Sequence, residues 1–130
     1  MNTPQKTSIH LLAALAALPL VATAQTTFDW TGSTDSTWGV AANWDPATGA
    51  PPGTNATDIA RFNDDVANST VNLASTATIQ QLVFDTGAGE YDFTGERLVI
   101  SSSSGPDYIV HTAGNTQIFS NEVELASSGT

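Results

Sequence analysis

The 130-residue sequence contains no cysteine and very little positive charge. Three lysines and arginines stand against 13 aspartates and glutamates, so the formal net charge is −10 at pH 7. Without cysteine the chain has no disulfide framework, no thiol nucleophile and no cysteine-ligated metal. Because the acidic excess repels phosphate backbones and anionic lipid, neither nucleic acid nor a charged membrane surface is an expected partner. At this length the chain forms at most one small domain.

No apolar run is long enough to cross a bilayer, although residues 9–22 are mostly leucine and alanine. Lys6 precedes this run, and Ala22 and Ala24 occupy the two positions that a signal peptidase reads. A spanning helix needs about 20 apolar residues. The pattern therefore predicts a signal peptide over residues 1–24 and a secreted or cell-surface protein, with a membrane anchor as the alternative. Cleavage after Ala24 leaves two bases and 13 acids, a charge of −11, on a chain that we expect not to insert into a membrane.

Beyond residue 24, short apolar or β-branched runs recur between glycine, serine, asparagine and aspartate residues, and no helical stripe is present. This pattern predicts an all-β chain. We expect residues 25–65, which are rich in aromatic and turn-forming residues, to be an N-terminal cap segment. We expect residues 66–130 to be β-solenoid coils that continue beyond residue 130. The predicted strands cover residues 27–30, 59–62, 71–73, 82–84, 91–93, 98–100, 108–110, 118–119 and 123–125.

The spacing of these runs is compatible with two architectures. Alternate runs, such as those that contain Val71 and Tyr91 or Leu98 and Ile118, are evenly spaced. Even spacing of alternate runs favours a parallel β-helix, or solenoid, whose coils each contribute two or more short strands. Successive runs are also regularly spaced, which is typical of a β-sandwich, the alternative. A small secreted chain without disulfides is more readily stabilised when each coil stacks on a neighbour.

The aromatic motifs after residue 26 resemble a known family. The motifs are Phe28-Asp29-Trp30, Trp38-Gly39, Asn43-Trp44, Pro51-Pro52-Gly53 and residues 58–62, followed by residues 71–73, 79–84, 89–91 and 98–100. This succession resembles the N-terminal region of secreted bacterial proteins with autotransporter-associated β-strand repeats, over roughly residues 27–125. The resemblance implies a passenger-like parallel β-helix in an exported protein of the PEP-CTERM type. It also implies a structural or surface role without a defined enzymatic activity.

Trp30, Trp38 and Trp44 are candidate ligand-stacking residues, because aromatic faces stack on sugar rings. Together with Tyr91 and Tyr108 they would make the chain a secreted carbohydrate-binding β module with polysaccharide or cell-surface partners. In the other interpretation the tryptophans cap the open first coil of a solenoid, since large aromatic side chains bury much apolar area. All three lie near the N-terminus, which favours the cap. Our main hypothesis is an exported, non-catalytic scaffold or adhesin, and the carbohydrate-binding module is the alternative.

Signatures of catalysis are few. Asp85-Thr86-Gly87 follows an apolar run as in the aspartic-protease motif, but that chemistry needs two carboxylates that share a proton. Only a homodimer could supply the second carboxylate. Glu90 and Glu96 flank a glycine-containing turn as a candidate acid–base pair, and His111 has no nucleophile and orienting group around it in the sequence. We therefore predict no enzymatic activity, with the dimeric protease as a remote alternative.

An acidic stretch offers the oxygen ligands that calcium prefers. Asp58, Asp64 and Asp65 lie near Asn55 and Asn63. Their spacing matches neither an EF-hand loop nor the glycine-rich calcium nonapeptide. We predict no cofactor, with Ca²⁺ at these residues as the alternative to a solvated acidic loop.

Overall fold

The computed structural model describes residues 25–102 and 108–126, so the predicted signal peptide lies outside the described chain. The described chain is all-β, as predicted, with one short 3₁₀ helix at Ala41–Asn43. Neither described range contains a helix with the length and apolar character of a bilayer-crossing segment. The strands are β1 (Thr27–Trp30), β2 (Trp44–Asp45), β3 (Ile59–Phe62), β4 (Thr70–Leu73), β5 (Ala77–Ile79), β6 (Gln81–Phe84), β7 (Asp92–Gly95), β8 (Leu98–Ile100), β9 (Ile109–His111), β10 (Ile118–Phe119) and β11 (Val123–Leu125).

Every strand predicted from the sequence overlaps one of these strands, but β2 and β5 were not predicted. β2 is too short to show alternation. β5 carries the inward-facing Ala77 and Ile79 on either side of Thr78. One large apolar residue in a run of small and polar residues is a weak strand signal.

The strands form three sheets, and from β3 onward consecutive strands belong to different sheets. The sheet orders are β2-β1-β3-β6-β9, β4-β7-β10 and β5-β8-β11. β1 and β2 pair antiparallel, and the other pairings between these strands are parallel. From β3 onward the chain therefore returns to the same sheet at every third strand.

The register of the parallel pairs sets the length of each return. Val71 pairs with Phe93, and Leu82 pairs with Ile109. The even spacing of alternate runs in the sequence matched each run with the second one along the chain, whereas from β3 onward the strands of one sheet are every third strand. Between Val71 and Phe93 one of the two intervening strands is β5, which was not predicted. Between Leu82 and Ile109 the intervening strands are β7 and β8, both of which were predicted.

Apolar residues from all three sheets form a single buried cluster. Side chains at equivalent register positions stack on one another within it. The ring of Phe62 in β3 stacks on that of Phe84 in β6 with centroids 5.3 Å apart, and Phe93 in β7 stacks on Phe119 in β10 at 4.9 Å. The inward face of each strand thus continues a column of apolar side chains from one strand to the next.

The segment between β1 and β3 lies along the first edges of the second and third sheets. Thr37 forms a parallel bridge with Asn72 of β4, and the Trp38 N–H donates to the Asn72 carbonyl at 2.9 Å. Gly53 approaches Thr78 of β5 so closely that an added Cβ would lie 3.3 Å from the Thr78 nitrogen. Since β1 pairs with β3, the N-terminal residues contact the starting edge of every sheet.

Candidate functional site

Trp30, Trp38 and Trp44 meet at the N-terminal end of the core. The antiparallel pairing of β1 and β2 places Trp30 opposite Trp44, and their ring centroids are 4.9 Å apart in an edge-to-face arrangement. Trp38 packs edge-to-face on the other side of Trp44 at 4.8 Å. Phe62 contacts both Trp30 and Trp44, so the three indoles continue the aromatic core.

The indole groups are buried and each N–H is already bonded to a backbone carbonyl. The Nε1 of Trp30 donates to Asn68 at 3.1 Å, that of Trp38 to Pro52 at 2.8 Å, and that of Trp44 to Trp38 at 2.8 Å. Their exposed fractions are between 1% and 3%, so the rings present no face on which a sugar could stack. The expectation of a ligand-stacking platform is corrected: these three side chains form part of the core.

Tyr91, another candidate for sugar stacking, is also buried. Its phenol O–H donates to the Asp64 carbonyl at 2.6 Å, and its ring packs edge-on against Phe62. Burial raises the pKa of Tyr91 to about 12. Tyr91 thus joins the acidic loop after β3 to the core as a neutral hydrogen-bond donor.

A buried asparagine organises the loop that carries Trp38. The Oδ1 of Asn43 accepts hydrogen bonds from the backbone N–H groups of Thr34 and Asp35, at 2.9 and 3.1 Å. Its Nδ2 donates to the Asp35 carboxylate at 2.7 Å. The backbone N–H of Thr37 donates to the same carboxylate, and this bond, followed by that from Asn43, holds the pKa of Asp35 below its ordinary value. The hydrogen bonds of the Asn43 amide and the Asp35 carboxylate thus stabilise the conformation of this loop.

The candidate calcium ligands lie at the two ends of a strand. Asp58 precedes β3, whereas Asp64 and Asp65 follow it, and a strand as short as β3 already spans about 10 Å. The buried Asp58 carboxylate accepts the backbone N–H groups of Gly53 and Asn55 through Oδ2, both at 3.1 Å. In the two described ranges, no group of three or more histidine, aspartate or glutamate side chains is arranged to hold a metal ion.

The Asp85-Thr86-Gly87 motif forms a turn at the end of β6. The Ala88 N–H donates to the Asp85 carbonyl at 2.9 Å, and a Cβ at Gly87 would overlap the carbonyl oxygen of Asn63. Close approach of the backbone therefore explains the glycine. The Asp85 carboxylate lies 3.9 Å from the Arg61 guanidinium.

The remaining candidate catalytic groups are separated from one another. Glu90 precedes β7 and Glu96 follows it, so their backbone positions are more than about 10 Å apart. The imidazole Nε2 of His111 lies 3.0 Å from the carbonyl oxygen of Asn115. The structure does not combine these three side chains into an acid–base site.

At the other end of the core, the last strand of each sheet carries exposed apolar side chains. In the described chain the exposed large hydrophobic residues are Ile109, Ile118 and Leu125, on β9, β10 and β11. A cleft of about 480 Å³ opens there, bounded by Phe84, Ile109, His111, Phe119 and the loop 114–117. We call the exposed edges of β9, β10 and β11 together the C-terminal face.

Sequence reasoning located these three strands but did not identify their shared exposed edge. The available signal was local: the last strands are very short and carry apolar residues. That signal is the same for a covered strand and an edge strand. Exposure depends on which strands pair, and pairing between distant strands is a tertiary property.

Comparison with known proteins identifies no relative. No protein-family model matches the chain, no curated protein matches it, and no solved structure matches it. Any functional assignment must therefore be based on the chain's own residues and geometry.

Proposed function

We propose that the chain is an exported, non-catalytic surface or extracellular protein that acts as a scaffold or adhesin. We further propose that its all-β fold is a parallel β-helix with residues 25–65 as an N-terminal cap segment. The observation that carries the β-helix and the scaffold role is the return of the chain to the same sheet at every third strand, and export is proposed from the signal-peptide pattern of residues 1–24. An extended solenoid presents long outer faces, which suit a structural or adhesive role.

The strand pairing supports a β-helix over a β-sandwich. Sandwiches are built from antiparallel strands joined by hairpins and Greek-key connections. From β3 onward every pairing between strands is parallel. Two successive strands of one sheet are separated along the chain by a strand from each of the other two sheets. A single coil of this kind cannot bury its own apolar face, so each coil depends on the next for its core.

The contacts of residues 25–65 support a capping role for this segment. Its tryptophans cover the first aromatic layer around Phe62, and its loops contact the starting edges of the sheets. An uncovered starting edge would expose backbone donors and acceptors to other chains. The cap interpretation explains why all three tryptophans of the sequence lie close together near its N-terminal end.

The structural contacts of the candidate catalytic residues support a non-catalytic role. Asp85 belongs to a turn and lies beside Arg61, and Asp58 accepts hydrogen bonds from the loop before β3. The burial of Trp30, Trp38 and Trp44 removes the observation that favoured carbohydrate binding, so we do not propose that function.

Export is the part of the proposal that an experiment can test most directly. The full chain, expressed in a bacterial host, should be recovered outside the cytoplasm with Gln25 as its first residue, as read by mass spectrometry. A variant with Leu15→Arg in the apolar run should stay inside the cell with residues 1–24 attached. Ala56→Arg adds the same charge in an exposed loop and should be exported normally. Cytoplasmic retention of the unaltered chain would overturn the proposal.

A further inference from the structure

Gln25 becomes the first residue of the chain if the signal peptide is removed after Ala24, as the sequence pattern predicts. Its chemistry as an N-terminal residue therefore rests on the proposed export. In the folded chain Gln25 is exposed and lies just before β1, which begins at Thr27. The residue is thus accessible and carries both an amide side chain and, after cleavage, a free α-amine.

The backbone is fixed immediately after Gln25. The carbonyl of Thr26 accepts the Ile59 N–H at 2.8 Å, and Thr27 pairs with Ile59 in parallel register. β1 is also the strand that pairs with both β2 and β3. Gln25 is therefore the residue from which the chain enters the first sheet.

The side chain of Gln25 lies at the surface beside the start of β6. Its Nε2 donates to the Oε1 of Gln80 at 3.0 Å, in an exposed contact. Gln80 directly precedes β6, whose first residue, Gln81, pairs with Ile59. The amide that would react is therefore held at the surface and is not enclosed by the core.

We propose that Gln25 of the mature chain is converted to pyroglutamate, a γ-lactam. The α-nitrogen attacks Cδ of its own side chain, so an N–Cδ bond forms and the Cδ–Nε2 bond breaks. Nε2 leaves as ammonia and takes a proton from the α-amine, so the step needs no oxidant and no other reactant. An α-amine titrates close to neutral pH, so part of it is present as the uncharged nucleophile. The reacting atoms belong to one residue, which makes the attack intramolecular.

The folded structure accommodates the lactam without rearrangement. Ring closure changes atoms of Gln25 alone and leaves the bond between the Thr26 carbonyl and the Ile59 N–H in place. The hydrogen bond from Nε2 to Gln80 is lost with the ammonia. Because that bond is exposed, its net contribution to stability is small, and the pairing of β1 is unaffected.

The lactam protects the strand that starts the first sheet. Chain termini are preferred sites of proteolysis, and an aminopeptidase needs a free α-amine. Phe28 and Trp30 of β1 belong to the core, and Asp29 forms an ion pair with Arg61. Stepwise loss of residues from this end would remove these contacts, whereas a lactam leaves no amine at which removal can begin.

Mass spectrometry of the exported full chain tests the modification. After prolonged incubation at neutral pH, the N-terminal peptide should begin at Gln25 and be lighter than its sequence by one molecule of ammonia. Gln25→Asn is the matched variant, since it keeps a side-chain amide but is shorter by one methylene group. It would have to close a strained β-lactam, so its N-terminal peptide should keep its full mass.

Aminopeptidase digestion separates the effect of the lactam from that of the hydrogen bond to Gln80. The unaltered chain should resist digestion, and Gln25→Asn should lose its first residue. Gln80→Ala removes the hydrogen-bond partner but none of the reacting atoms, so this variant should form the lactam and resist digestion. Tryptophan emission should be the same for all three proteins, because none of the changes reaches the core.

The outcomes distinguish the lactam from export. A chain that begins at Gln25 with its full mass would overturn the lactam and leave the proposed export intact. A chain that keeps residues 1–24 inside the cell would overturn both. Loss of ammonia from Gln25→Asn would place the reaction at another residue, and equal resistance of Gln25→Asn and the unaltered chain to aminopeptidase would overturn the protective role.

Discussion

At the residue scale, several side chains and glycines are explained by a single close contact. A Cβ at Gly95 would overlap the carbonyl oxygen of Leu73, and the glycine has a φ of +89°. The turn after β7 therefore requires glycine both for its backbone conformation and for the space available. Gly114 has an open surrounding, with no atom within 4 Å of an added Cβ.

Gly95→Ala should lower the free energy of unfolding by about 1 to 3 kcal/mol, because alanine at this φ is strained and its methyl group meets the Leu73 carbonyl. Urea denaturation followed by tryptophan emission would measure the loss. Gly114→Ala is the matched control and should change stability by no more than about 0.5 kcal/mol. Equal effects from the two substitutions would contradict the close packing of this turn.

Tyr91 should make stability depend on pH in the alkaline range. Its pKa is about 12 in the folded chain and about 10 when unfolded, so the unfolded state releases the proton first. The stabilisation of the folded state that comes from this pKa difference is complete below pH 10 and is lost as the pH rises towards 12. Over this range the folding equilibrium constant falls by about tenfold per pH unit. Tyr91→Phe should be less stable at neutral pH and show a flatter alkaline profile. Parallel profiles for the two proteins would refute this assignment.

At the element scale, side-chain alternation and cross-strand contacts set the position of each strand. Arg61 of β3 forms a two-point ion pair with Asp29 of β1, with N–O distances of 2.5 and 2.8 Å. The hydrogen bond to Asp29 raises the pKa of Arg61 above its ordinary value. The pair joins the outer faces of two neighbouring strands in the register that also aligns their apolar faces.

β5 provides a direct test of this alternation, because the sequence pattern did not predict it. Ile79 is fully buried, whereas Thr78 points to the outer face. Ile79→Ala should cost about 2 to 5 kcal/mol of unfolding free energy. Thr78→Ala should change it by no more than about 0.5 kcal/mol. Chemical denaturation would measure both changes. A Thr78 effect as large as that of Ile79 would contradict the assignment of Ile79 to the core and Thr78 to the outer face.

At the scale of the whole molecule, the core is shaped by the parallel pairing of each strand with the third strand along the chain. Thr78 of β5 pairs with Val99 of β8, and both side chains lie on the outer face. Val83 of β6 is much closer to Thr78 in the sequence but belongs to a different sheet. These three positions allow the proposed coil arrangement to be examined in solution, in a chain that has no native cysteine.

A double variant with Thr78→Cys and Val99→Cys should form an internal disulfide on mild oxidation. Parallel partners have Cα atoms about 4.8 Å apart, within the range that a disulfide needs. Thr78→Cys combined with Val83→Cys should keep both thiols free. Thiol titration with and without reductant distinguishes the pairs, and equal oxidation of both would be inconsistent with parallel stacking of β5 and β8.

The all-β class and nine of the strands could be predicted because they depend on local alternation of apolar and polar residues. The three-strand return could not, because local patterns do not specify which distant strands pair, and because β5, whose signal consists mainly of Ile79 in a run of small residues, was not predicted. The tryptophans showed the reverse difficulty. Their residue type was compatible with both a ligand surface and a core, and only their burial distinguished the two.

The sequence by itself determined the acidic charge, the absence of disulfides, the pattern of a signal peptide and the alternation that makes the chain β. These are properties of residue type and short spacing. The tertiary structure decided which strands pair, that Trp30, Trp38 and Trp44 are buried, and that, among residues 25–102 and 108–126, β9, β10 and β11 are the last strands of their sheets and carry exposed apolar side chains. Such properties depend on contacts between residues that are far apart in the sequence, which local patterns do not specify.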